Sequence, residues 1–396
     1  MARRIENMEK QRARRRRCAG YSRHTVLLLC ALLLIALFAT TGFLSRAFHR
    51  KQAALAESWF EKGNAYLTAG HARDARDAYR NALIFEPQNT NFQLHLAQAL
   101  AAFGQADESR GYLVNLFTQA PGDGEVNLEL AHLAARQGNV NAAIRYYHGA
   151  IYGAWDLDPV TASRNARIEL CDFLVEQGDT MQAEAELIAL AANVPAGDAA
   201  LHVKVGNLFV RNGDLNHALS EFQAALKTSQ DDAAAMAGAG TVAYRLGHYA
   251  EAVGYLDRAR RANPQQTDVT DMLITAQFVV IGDPFAPNLS EAERARRAAM
   301  ALAQAISRAE KCVVPSTVKE VTPIQTLLER AKAGRGTLWS ERRLSLQPER
   351  IELAMRTVFD LESEADRECG KPQGMDLALS LIEQMHQDIA NGAPGS

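Results

Sequence analysis

The chain has 396 residues, 47% of them hydrophobic, which is enough for at least two cored units and too apolar for an intrinsically disordered polymer. Its net charge of −3 conceals an imbalance. Residues 1–24 hold nine Lys/Arg against Glu6 and Glu9, a balance of +7, so the remainder carries −10 and the two parts face different surroundings.

After this basic tail comes Thr25–Leu44, TVLLLCALLLIALFATTGFL, with no charge in 20 residues. At 1.5 Å per helical residue such a run spans the roughly 30 Å hydrocarbon core, and it reads as a transmembrane helix. A cleaved signal peptide usually has an apolar region of only about 7–15 residues ending at a small-x-small site, whereas Phe43-Leu44-Ser45-Arg46 is a poor cleavage site. A lipoprotein signal would need small residues before Cys30, which instead follows three leucines; a buried soluble helix would not be flanked by the basic run Arg12–Arg17. That run, immediately N-terminal to the span, places residues 1–24 in the cytoplasm by the positive-inside rule and also attracts anionic lipid. A nucleic-acid or nuclear-import patch is the other reading of the same residues, but beside a membrane span orientation is the plainer one, and no nucleic-acid partner is expected. Residues 45–55 form a linker. Everything beyond Arg46 then lies outside the inner membrane, in the periplasm if the cell is bacterial.

A periodic region follows. Gly70, Gly104 and Gly138 are spaced by 34 residues, and after a step of 40 to Gly178 come Gly213 and Gly247 at steps of 35 and 34. Seven residues before each glycine stands a small residue: Gly63, Ala97, Ala131, Cys171, Gly206 and Gly240. Nine residues after each stands a large apolar one: Tyr79, Leu113, Tyr147, Leu187, Phe222 and Leu256. Between them, five after each glycine, come Ala75, Ser109, Ala143, Ala183, Ala218 and Ala252. The spacing predicts six helical hairpins: the first small residue lets two helices approach, the glycine ends the first helix, and the later residues pack the second against it. Pro87, Pro121, Pro195 and Pro264 close four copies; the third has Trp155 at that offset and the fifth Gln230. Tyr152–Ser163 is an insertion between copies three and four.

A 34-residue period with this pattern resembles the tetratricopeptide repeat family over about residues 56–266. The best copy has Trp59, Gly63, Tyr66, Gly70, Ala75, Tyr79, Ala82 and Pro87, with Lys62 where leucine is more usual. The resemblance implies an all-α fold: a superhelix of about six hairpins whose first helices line a concave face that binds peptides or proteins. On that face, one residue after each small position, stand Asn64, Gln98, His132, Asp172, Asn207 and Thr241, a polar ladder able to pair with an extended peptide backbone, Asn64 and Asn207 lying outside the hairpin core. Farther along the same helices Arg136, Arg211 and Arg245 point to an acidic ligand segment. The carboxylate-clamp form of the family is not matched, because Phe60 and His95 occupy positions where it needs lysine and asparagine.

Thr267–Ile281 reads as a helix capping the last repeat, and 282–396 as a helical C-terminal unit outside the 34-residue period. Within it Ser290 and Glu293 form a capping-box pattern, and helical patterns cover Pro323–Ala333, Pro348–Arg367 and Met375–Ile389 before a frayed tail from Asn391.

Catalytic signatures are lacking. The ten histidines form no HExxH or HxH pair and read as scattered surface residues, no CxxC occurs, and no metal or cofactor is expected. Gly238-Ala239-Gly240 opens a repeat helix with no strand before it, so it serves packing rather than phosphate binding. Cys312 and Cys369 both fall in the C-terminal unit on the oxidising side and are either a disulfide pair or two separate thiols. The composite expectation is a membrane-anchored, non-enzymatic scaffold for other envelope proteins. An assembly factor or chaperone for a secretion or polysaccharide machine is its narrower form, and an enzyme in the C-terminal unit the competing class.

Overall fold

In the computed structural model of the chain the described residues are 2–313, 322–334, 339–347 and 349–390, without the side chains of 2–6, 12–24 and 388–390. The side chains of Arg12–Arg17, Pro348 and the tail from Asn391 lie outside this set. The described residues are helical, with a single isolated bridge between Asp123 and Ala154. The first helices are α1 (Ala2–Thr68), α2 (Ala72–Phe85), α3 (Thr90–Ala102), α4 (Ala106–Gln119), α5 (Gly124–Arg136) and α6 (Val140–Ile151). Next come α7 (Pro159–Gln177), α8 (Thr180–Ala191), α9 (Ala199–Asn212), α10 (Leu215–Thr228), α11 (Ala233–Arg245), α12 (Tyr249–Ala262) and α13 (Thr267–Gly282). The last are α14 (Glu291–Cys312), α15 (Pro323–Gly334), α16 (Glu341–Leu346), α17 (Glu349–Cys369) and α18 (Met375–Ala390).

Each hairpin is closed by the device the spacing predicts. Gly70 has φ 78°, a left-handed conformation that costs a residue with a Cβ dearly, and the other five turn glycines repeat it with φ between 71° and 90°. Behind the turn, a Cβ added to Gly63 would stand 2.6 Å from Cδ1 of Tyr79, and one on Gly240 would stand 2.7 Å from the Leu256 side chain. The small residue is therefore what allows the large one sixteen positions later to lie flat on the first helix. Ala97, Ala131, Cys171 and all six residues five past the glycines are fully buried. At the third copy Trp155 replaces the closing proline: its Nε1–H donates to the Ala150 carbonyl at 2.9 Å and its ring covers Gly124.

The chain divides into two compact units, 1–167 and 168–396, the division falling just past the insertion. In the first unit α1 is one uninterrupted helix of 67 residues. The segment 45–55 is helical, so the apolar run passes without a break into the first helix of the first hairpin, where Ala56 and Phe60 become buried. Every residue from Thr25 to Lys51 is exposed, and among the described residues this is the one helix long and apolar enough to cross a membrane.

In the second unit the last hairpin and the helices after it share one core. Tyr249, Ala276 and Val279 pack with Leu302, Ile306, Leu328, Met355, Val358 and Ile382. The expected helices of this region are present, and α16 is an addition that its six residues leave too short to show a period. Ser290 caps α14 by accepting from the Glu293 N–H at 3.2 Å, but the Glu293 carboxylate turns to Arg296 and Arg297, so only half of a capping box forms.

Candidate binding surface

The first helices of the hairpins carry the ladder residues, and neighbouring side chains decide which of them are available. In the first unit the structure engages most of them internally. Asn64 Oδ1 accepts a 2.7 Å hydrogen bond from the Tyr79 hydroxyl, whose ring is fully buried and whose pKa burial pushes up to about 12. Asn64 thus completes the hairpin core rather than standing outside it, because a buried phenol needs an acceptor. Gln98 donates to Glu129 at 3.2 Å, and His132 Nδ1 stands 3.7 Å from the same carboxylate. Arg136 remains exposed, with no hydrogen bond or ion pair among the described residues.

Two acidic residues that the ladder omitted share this face. Burial raises the pKa of Glu125, and Asp123 and Glu129 push it the same way, while His95 and a hydrogen bond from Gln98 oppose them. An i, i+3 pair of Glu129 with His132 was legible in sequence, but the approach of Gln98 from the preceding hairpin was not. His95 itself packs edge-on to Phe60, which stacks on Phe92 at 4.7 Å, so the two residues that depart from the carboxylate clamp serve an aromatic cluster. Lys62 lies over the Trp59 ring, 4.4 Å from its centroid.

In the second unit Arg211 is bound to Asp172 and reaches Glu176 at 3.9 Å. The ladder carboxylate and the arginine one turn farther along the next first-helix neutralise each other, which removes both from the free groups expected to recognise a ligand. Asn207 and Arg245 stay exposed, again with no hydrogen bond or ion pair among the described residues. The histidines are less superficial than expected: His202 is buried and 2.7 Å from Glu221, and His386 meets the buried Asp283 at 3.0 Å. Both partners come from another helix or turn, at separations a local motif does not reveal.

The hairpins, their glycine turns and their small-to-large packing agree with the tetratricopeptide repeat family profile, which matches residues 60–125 and 204–267. The hairpins in these two segments are tetratricopeptide repeats. Cellulose synthase operon protein C of Komagataeibacter xylinus is 25% identical over 232 residues, covering 54% of this chain and 18% of that protein. The chain therefore spans less than a fifth of the length of this curated relative. Among solved structures, the C-terminal part of a repeat-containing protein from Cytophaga hutchinsonii is 13% identical with a TM-score of 0.44, covering 60% of this chain and 92% of that one. PilW, a type IV pilus biogenesis factor, is 18% identical with a TM-score of 0.41, covering 55% of this chain and 98% of its own.

Cys312 and Cys369 come together at the ends of α14 and α17, with Cα atoms 5.7 Å apart, a separation that a disulfide spans. One turn back, Arg308 contacts Glu362, reaches Asp366 at 2.7 Å and the Gly370 carbonyl at 2.9 Å. Glu362 is 1% exposed; burial pushes its pKa up to about 7 against the opposing pull of Arg308.

Proposed function

We propose that the chain is a single-pass, membrane-anchored scaffold whose repeats hold segments of partner proteins, with its N-terminus cytoplasmic and its repeats in the periplasm or an equivalent extracytoplasmic space. The observation that carries this reading is the exposed, unpaired polar groups on the first helices, Arg136 in the first unit and Asn207 and Arg245 in the second, where Asn64, Gln98, His132 and Asp172 are already engaged by neighbouring side chains. Amide and guanidinium groups left in water on a packed helix can exchange water for a peptide carbonyl or carboxylate at little ordering cost. Anchoring is supported by the exposed apolar stretch of α1 and the charge of +7 that precedes it.

A narrower reading makes the partner a component of a polysaccharide machine. The name of the Komagataeibacter relative favours it, over the 18% of that protein that this chain covers.

Crosslinking in intact membranes tests the surface directly. Arg136→Glu, Asn207→Ala and Arg245→Glu together should lower partner recovery several-fold, leave circular dichroism unchanged, and make the residual binding less sensitive to salt. Undiminished recovery of every partner would transfer binding to the helices after α13. Protease added outside sealed spheroplasts should digest the repeats, and complete protection would overturn the topology.

A further inference from the structure

The insertion after the third hairpin carries an unexplained surface. The turns leading into α3 and α5 have four residues each, 86–89 and 120–123, whereas the turn into α7 has seven, 152–158. Its base is fixed: the Gly124 N–H donates to the Ala154 carbonyl and the Ala154 N–H to the Gly122 carbonyl, both at 2.7 Å, and Trp155 is tied to Ala150. Asp158, at φ 40°, caps α7 by accepting from the Thr161 N–H at 3.3 Å. Arg167 holds the Tyr152 ring from behind, 5.7 Å from its centroid. These contacts leave three large apolar side chains in water within nine residues: Tyr152 at 73% exposure, Leu157 at 85% and Val160 at 71%. Single exposed apolar residues are ordinary, but three within nine residues, two on a fixed turn and Val160 in the first turn of α7, are apolar surface that calls for a partner.

Topology says where this patch lies. In the first unit α1, α3 and α5 run in the same sense, so the glycine turns sit at one end of the hairpins. The turns 86–89, 120–123 and 152–158 sit at the other, the end from which α1 arrives out of its apolar stretch. Thr90 and Gly124 open α3 and α5 at the repeat position that Ala56 occupies within α1. From Leu44 to Ala56 a continuous helix rises roughly 18 Å, and about 5–8 Å of that lies within the headgroup layer. Three helix spacings of about 8–10 Å carry the insertion some 30 Å sideways. A tilt of about 20°, ordinary for a spanning helix, lowers a point at that distance by about 10 Å when it is directed toward the insertion, which closes the remaining gap.

We propose that Tyr152, Leu157 and Val160 are a second membrane contact, resting in the interface of the bilayer that α1 crosses. A tyrosine with two aliphatic side chains suits that layer, where a ring sits at headgroup level and apolar groups reach the acyl boundary. Asp156 points the loop to zwitterionic headgroups, whose ammonium groups complement a carboxylate, rather than to a strongly anionic surface. Two attachments, one through α1 and one through the insertion, would hold the first three hairpins along the membrane and set which way their ligand-binding face looks. The proposal rests on the membrane anchor proposed above.

The test uses the full chain, with Cys18 and Cys30 replaced by serine and Cys171 by alanine, reconstituted in vesicles of phosphatidylethanolamine with a minor share of phosphatidylglycerol. A nitroxide is placed in turn at Leu33→Cys, Ile84→Cys and Leu157→Cys, and its collisions with oxygen and with a water-soluble nickel complex are compared. Leu33 should read as bilayer interior, Ile84 as aqueous, and Leu157 as interfacial, with an oxygen-to-nickel ratio several-fold above that of Ile84. An aqueous Leu157 beside a buried Leu33 overturns the second contact while sparing the anchor. An aqueous Leu33 overturns the anchor and the contact with it. Shielding of Leu157 from both reagents means that protein, a second copy of the chain, covers the loop, and also overturns the lipid contact. Leu157→Asp, labelled at Val160→Cys, should return the loop to water without altering circular dichroism.

Discussion

In the hairpins Gly63 meets Tyr79 and Gly240 meets Leu256, each pair sixteen residues apart; in the helices after α13, Arg308 meets Glu362 across 54 residues, Cys312 meets Cys369 across 57, and Gln304 meets Asp376 across 72. Both regions are helical throughout their described residues, yet one is assembled from nearest neighbours and the other from contacts that close long loops. Local packing tolerates variation from copy to copy: Trp155 can stand in for a proline and Cys171 for a glycine or alanine, because each hairpin has only its neighbours to satisfy. The later helices have no repeated neighbour, and α14, α17 and α18 join in one apolar core to which a few polar and sulfur contacts between distant residues are added.

The sharpest way to break this contrast is Arg308→Ala. It strips Glu362, Asp366 and the Gly370 carbonyl of a shared donor and should cost about 3–5 kcal/mol at pH 8. Hydrogen exchange in the full chain should show α14, α17 and α18 opening together while α2 to α6 keep their protection. Uniform loosening of all helices would deny the distinction.

The cysteine pair comes next. We propose that Cys312 and Cys369 are disulfide-bonded. Closing that loop stabilises the region by roughly 3–4 kcal/mol in the chain-entropy account, so Cys312→Ser with Cys369→Ser should lower its stability by a similar amount and leave the hairpins untouched. Thiol labelling of the unreduced wild type provides the check; a reactive thiol at either position would sink the pairing.

A smaller effect, on the order of 2 kcal/mol, concerns pH. The folded pKa of Glu362, about 7, lies above its ordinary value, so the folded state holds a proton that the unfolded state has released. This contribution is fully present below the unfolded pKa and is lost as pH rises through about 7. Denaturation of the C-terminal helices should therefore become easier between pH 5 and pH 8, and Glu362→Gln should flatten that slope. The hairpins, whose cores are mainly apolar, provide the internal reference.

The smallest change is expected from Gly63→Ala, about 1–2 kcal/mol, because the new methyl must displace the Tyr79 ring that Asn64 and the aromatic cluster hold in place. Only the first hairpin should fray, as read by exchange in α2. A loss that spread to α14–α18 would mean that the repeats are less independent than their packing implies.

By itself the sequence determined the helical hairpins, their six left-handed glycine turns, the small-to-large packing pairs and the apolar segment, since each depends on residues within about sixteen positions and on the fixed period of a helix. It placed Arg136, Asn207 and Arg245 on the ligand face together with the rest of the ladder and Arg211, and these three are exposed. Tertiary structure decided the rest of the ladder. Asn64 serves a buried hydroxyl, Gln98 and His132 turn to Glu129, and Asp172 is tied to Arg211, because a side chain's partner depends on which helix lies beside it and not on its place in the repeat. Tertiary structure likewise brought Arg308 to its carboxylates and Cys312 to Cys369. Their encounter requires α14 and α17 to lie side by side, and no periodicity connects residues more than fifty positions apart.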